Sequence, residues 1–77
     1  MLISTIETLN KEVRDVFLEW YMDAMKPNMR MVAERVGLGY STMKNFKAGH
    51  NTTYNNIIKI TNFLKSQGYE VKQPILV

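Results

Sequence analysis

Residues 34–49 read ERVGLGYSTMKNFKAG, and two of the chain's four glycines, Gly37 and Gly39, flank a single leucine within it. A glycine inside a helix costs about 1 kcal/mol relative to alanine, so a pair this close does not belong to one continuous helix. The residues on either side nevertheless have helical spacing. Before the glycines, Val32, Ala33 and Val36 share a face with Met29 beside them; after them, Met43 and Phe46 do the same. The stretch therefore predicts two short helices joined by a tight turn. Gly37 supplies the left-handed residue that closes the first helix, and Gly39 is expected to N-cap the second, over residues 40–47, which Gly49 ends. Leu38 is expected to plug the core that the two helices share, and Asn28 to cap the first of them.

Upstream, Ile6, Leu9, Val13, Val16, Phe17, Trp20, Ala24 and Met25 recur at spacings of three and four, which predicts a long amphipathic helix over about residues 5–25. Ser4-Thr5-Ile6-Glu7 has the form of a capping box, and Asn10 offers a second start or a break. Pro27 ends this helix, because the residue before a proline is pushed out of the α region. Trp20 reads as an anchor between it and the rest. Downstream, Thr52 or Thr53 is expected to cap a fourth helix whose face is Tyr54, Ile57, Ile58, Thr61 and Leu64, widened by Ile60 and Phe63, with Gly68 just past its end. The tail, residues 69–77, alternates apolar and polar before Pro74 and reads as a short edge strand or an extended arm. The expected fold is an all-α, four-helix domain spanning residues 1–77, with a long N-terminal helix and this tail.

A chain of 77 residues makes one small domain that buries only about 60% of the surface its unfolded form exposes. It has no cysteine, which excludes disulfides and thiolate metal sites and fits a reducing cytoplasm. The opening MLISTIETLN lacks a basic signal-type region, and no apolar run approaches the roughly 18 residues of a membrane span, so a cytoplasmic protein without a membrane partner is expected. With one histidine, His50, and no set of nucleophile, base and orienting group, neither an enzyme nor a cofactor or metal site is expected. Charge divides unevenly. Residues 1–25 hold two basic and five acidic side chains, a net of −3; residues 26–77 hold eight basic and two acidic, a net of +6. A polyanion would meet only one side of such a protein. Solvated helix faces carry charge of either sign as well, and charge alone slightly favours that plainer reading.

Residues 29–48 resemble the helix-turn-helix of the lambda-repressor-like family, the phage Cro and repressor group often called XRE-type. The resemblance lies in small Ala33 where the helices touch, Gly37 in the turn, apolar Val32, Val36, Leu38, Met43 and Phe46, and the Ser41-Thr42 pair. Ile57, Ile60, Thr61 and Leu64 resemble the family's fourth-helix pattern, with Thr61 in the place of an alanine. The resemblance covers about residues 12–66 and has departures. Met29 stands where a phosphate-contacting glutamine is common, Gly39 where Ser or Thr is usual, Lys47 where glutamate is frequent and Thr52 where proline is usual. It implies a sequence-specific, duplex-DNA-binding transcriptional regulator, a phage or mobile-element repressor that acts by occluding a promoter. The alternative is a protein-protein interaction module of the same fold, such as an antitoxin or a phage inhibitor of a host protein.

In a helix-turn-helix the second helix lies in the major groove and its N-terminal side chains reach base edges. The resemblance then makes Tyr40, Ser41, Lys44 and Asn45 the candidate base contacts, with Asn45 suited to adenine, Lys44 to guanine and Tyr40 to a thymine methyl or a phosphate. Asn28, Arg30, Thr42, Lys47, His50 and Asn51 are the candidate phosphate contacts. The plain alternative is that these are solvent-facing polar residues. One short recognition helix reads few base pairs, so a homodimer through the C-terminal tail, with its Ile75-Leu76-Val77, or through helix one is expected to set two such helices about 34 Å apart. A tail folded over its own core would not do this.

Overall fold

The helical spacing is realised in a computed structural model, which describes residues 6–71. Four α-helices form over them: α1 (Ile6–Asp23), α2 (Met29–Val36), α3 (Tyr40–Ala48) and α4 (Tyr54–Ser66). Each turns its apolar stripe inward. Leu9, Val13, Phe17 and Trp20 of α1, Val32, Ala33 and Val36 of α2, Met43 and Phe46 of α3, and Ile57, Ile60, Phe63 and Leu64 of α4 make one buried cluster. Phe17 sits amid the rings, with its centroid 5.6 Å from Trp20 and 6.1 Å from Phe46, and Trp20 meets Phe63 edge-on at 5.0 Å. Trp20 thus anchors α1 to α4, as its place in the sequence predicts. Full burial of a side chain such as Phe17 is worth about 3 kcal/mol, and α1 is docked by four such residues.

All four helices close in the same way. The N–H groups of Lys26, Leu38, His50 and Tyr69 each reach back five residues, to the carbonyls of Tyr21, Ala33, Asn45 and Leu64. That bond satisfies an orphaned carbonyl and requires the residue before the donor to take a left-handed conformation. Glycine holds that position in three helices, as Gly37, Gly49 and Gly68; in α1 it is Met25, at φ 65°, followed by Lys26 at φ 53°. The helix therefore ends at Asp23, two residues short of the position the proline suggests. Ala24 and Met25 leave the apolar stripe, and Met25 is 86% exposed. Ile6 and Tyr54 are exposed as well, because each begins its helix and lies past the edge of the packed core.

Asn10 neither starts nor breaks α1. It is fully buried within the helix; its Oδ1 accepts the Thr52 N–H at 2.8 Å, and its Nδ2 donates to the carbonyls of Thr52 at 3.1 Å and Ile6 at 2.7 Å. One amide thus pins the segment entering α4, which Thr53 caps by accepting the Asn56 N–H. Leu38 packs half-buried against the core. After α4, the Tyr69 hydroxyl donates to the Asp23 carboxylate, and Tyr69 and Val71 lie against the core without forming a strand. The rest of the tail, residues 72–77, and Ser4-Thr5 of the capping box lie outside the described residues. Among the described residues no helix is long and apolar enough to cross a membrane.

Candidate functional site

With Met43 and Phe46 buried, the opposite side of α3 is left to its polar residues. Ser41, Lys44 and Asn45, spaced by three and four, are exposed and form its outer face; Tyr40, Thr42 and Lys47 flank them half-buried. Gly39, at φ −70° and ψ 154°, begins the helix without a side-chain cap hydrogen bond.

Aromatic rings organise the cations around this face. The Arg30 guanidinium, from α2, lies 4.3 Å from the centroid of the Tyr40 ring, and Lys44 Nζ approaches the same ring at 6.0 Å. Further along α3, Lys47 Nζ sits 4.7 Å from the centroid of Tyr21 on α1. Rings of this kind attract cations and cover their aliphatic stems while the charged ends stay in water. Asn28 caps α2, its side-chain oxygen accepting the N–H groups of Arg30 at 2.8 Å and Met31 at 3.3 Å.

At the far end of α3 stands a residue that the sequence reading missed. Arg14 of α1 donates from Nε to the Phe46 carbonyl at 2.7 Å and from Nη2 to the His50 carbonyl at 2.7 Å and Asn51 Oδ1 at 3.3 Å, while its guanidinium covers the Phe46 ring at 4.8 Å. The C-terminus of a helix exposes unpaired carbonyls and the negative end of the helix dipole, which is where a cation is favoured. The partners lie 32 to 37 residues away in sequence, and the only trace there is that Arg14, Phe17 and Tyr21 share one flank of α1. The candidate residues thus fall into two groups. Arg30, Tyr40 and Lys44 meet at the N-terminal end of α3, with Ser41 and Asn45 beside them; His50 and Asn51 meet Arg14 at its C-terminal end, with Lys47 one turn before. Asn28 stands at the α2 cap, and Thr42 lies half-buried on the flank of α3.

The acids are elsewhere. Glu12, Asp15, Glu19 and Asp23 are exposed and share a stripe of α1 opposite the flank that Arg14, Phe17 and Tyr21 turn to α3. On another side a cleft of about 220 Å³ opens between α1, α2 and α4, floored by Trp20, Val32 and Phe63 and edged by Pro27, Met31 and Arg35. Comparison of the chain with protein-family models, with curated proteins and with solved structures finds no match in any of the three.

Proposed function

We propose that α2, its glycine turn and α3 form a helix-turn-helix of the lambda-repressor-like kind, and that the protein binds duplex DNA as a transcriptional regulator of phage or mobile-element type. The reading takes its main support from the separation of charge: Arg30, Lys44 and Lys47 gather around α3, while the acids of α1 lie on the far flank of that helix. With α3 in the major groove, Tyr40, Ser41, Lys44 and Asn45 face base edges, the amide of Asn45 matching the paired donor and acceptor of adenine. Asn28, Lys47, His50 and Asn51 lie towards the two ends of the unit and Thr42 on the flank of α3; these are the proposed phosphate contacts, which position the protein without reading sequence. The effect on transcription would be occlusion of a promoter by a homodimer on a pseudo-palindrome. Selection of bound duplexes from a random pool at about 150 mM salt tests this, since non-specific phosphate attraction is weak there. Enrichment of a pseudo-palindrome with half-sites about 34 Å apart is the expected result; weak, salt-sensitive binding with no enriched sequence would overturn it.

One observation favours a second reading, a protein-interaction module of the antitoxin or host-inhibitor kind. Met22, Met25 and Met31 are exposed around the corner between α1 and α2, and Met31, 55% exposed, edges the cleft floored by Trp20 and Phe63. Flexible methionines suit adaptable binding surfaces. Met31→Glu should then abolish capture of a protein partner and leave duplex binding intact, whereas a DNA-only protein would show no such partner to lose.

A further inference from the structure

We infer that Arg30 is a base-reading residue, aimed at the major-groove edge of a guanine and held for that purpose by Tyr40. This deepens the proposed function and rests on it. From the sequence, Arg30 at the start of α2 is a phosphate contact like its neighbours; its surroundings assign it a more specific task.

The Arg30 guanidinium lies 4.3 Å from the Tyr40 ring centroid, well inside the roughly 6 Å range of a cation–π contact, and Tyr40 is the first residue of α3. The charge of an α2 residue is thereby delivered to the end of α3 that enters a groove deepest. Its donors are free. Among the described residues no protein acceptor bonds the Arg30 side chain; Asn28 holds only its backbone N–H. Arg14 of α1, by contrast, has Nε and Nη2 committed to Phe46, His50 and Asn51.

A phosphate needs only a cation within reach, and a flexible stem serves it well. Guanine needs more: its O6 and N7 accept two parallel N–H bonds from a fork lying in one plane. An arginine whose guanidinium is held over a ring has part of its rotamer freedom lost before binding rather than during it, and its planar fork is the group that matches those two acceptors. The same contact changes the part of Tyr40. The ring face that Arg30 covers is closed to a thymine methyl, so Tyr40 acts as a positioning residue for Arg30, with Lys44 Nζ a more distant neighbour of the ring at 6.0 Å.

The test is the same random-duplex selection, run on the full chain as wild type and as Arg30→Ala, Arg30→Lys, Tyr40→Leu and Tyr40→Phe, with thermal melts to verify folding. The wild type should enrich a half-site with a guanine at one position that Arg30→Ala no longer prefers, at a loss of roughly 5- to 150-fold on the best sequence, the discrimination one paired contact gives. Arg30→Lys should keep affinity for DNA in general and lose most of the guanine preference. Tyr40→Leu should relax the same position and no other, and Tyr40→Phe, which keeps the ring, should retain it. An unchanged sequence preference in Arg30→Ala, whether binding falls uniformly or not at all, overturns the inference and leaves the DNA reading standing. No enriched sequence with the wild type overturns both.

Discussion

Asn10, Arg14, Thr61 and Tyr69 show what single polar residues do in a domain this small. Asn10 holds both backbone groups of Thr52, 42 residues away. Asn10→Ala would leave that N–H and carbonyl without partners, at about 1 to 3 kcal/mol for each group that water does not reach, so a loss of about 2 to 4 kcal/mol is expected by urea unfolding. A drop under about 1 kcal/mol would mean that water reaches both groups. Thr61 is the opposite case. Its hydroxyl is buried with no hydrogen-bond partner among the described residues. Thr61→Ala removes that unsatisfied group and improves helix propensity at the loss of one methyl, and a melting point a few degrees higher, about 1 kcal/mol, is expected. Tyr69 links its segment to α1 through a hydrogen bond to Asp23 that raises the phenol above its usual pKa of 10.0. Because the folded-state value is the higher one, the contribution is fully present below pH 10 and is lost as pH rises through the raised value. Lys11, whose pKa its bond to Asp15 also raises, loses its contribution in the same range, so Tyr69→Phe should lose less melting temperature across that window than the wild type does. Of these four residues Asn10 and Thr61 were singled out in the sequence, Asn10 for a start or break of α1 that it does not make and Thr61 by its place in an apolar pattern. The others act over 32 to 46 residues, and nothing local marks an asparagine or arginine whose partner is a distant carbonyl.

The helix ends explain why most of the elements were legible and one boundary was not. Three of the four glycines sit where a helix closes in the left-handed region, so the ends of α2, α3 and α4 could be read from residue type alone. At α1 the same closure falls on Met25, and the proline that follows misdirects the reading by two residues. Side chains at such φ values cost about 1 to 2 kcal/mol. Met25 is exposed and loses no packing when shortened, so Met25→Gly should stabilise the protein by about 1 kcal/mol. At the turn between α2 and α3 the two glycines should behave differently, although a methyl added to either meets nothing within 4 Å. Gly37, at φ 94°, should lose about 1 to 2 kcal/mol on replacement by alanine. Gly39, at φ −70°, tolerates a side chain, and Gly39→Ser should gain a few tenths of a kcal/mol by adding the cap oxygen that α3 lacks. Denaturant midpoints of the three variants check this, and equal losses at both glycines would mean that the turn needs flexibility rather than one left-handed residue.

At the scale of the molecule, the division of charge was visible in the sequence as an acidic first third and a basic remainder, but which way each faces was not. Orientation comes from packing: Phe17 and Tyr21 turn one flank of α1 to α3, and helical geometry then sends Glu12, Asp15, Glu19 and Asp23 to the other. A helix with its side chains is about 10 to 12 Å across, which already exceeds the screening length of about 8 Å at 0.15 M salt. The acids should therefore be almost unfelt by a duplex docked on α3 at that salt and felt as repulsion at low salt. Two measurements separate this arrangement from a diffuse basic surface. Lys47→Ala should weaken binding to every duplex by the same factor and reduce the slope of log affinity against log salt by about 1, as expected for one lost phosphate contact. The double variant Glu12→Gln, Glu19→Gln should bind as the wild type does, within about twofold, at 0.15 M salt and tighter than it only as the salt falls towards 0.01 M, where the screening length grows to about 30 Å. A large gain at 0.15 M would put α1's outer face beside the DNA, and the docking of α3 proposed above would then have the protein the wrong way round.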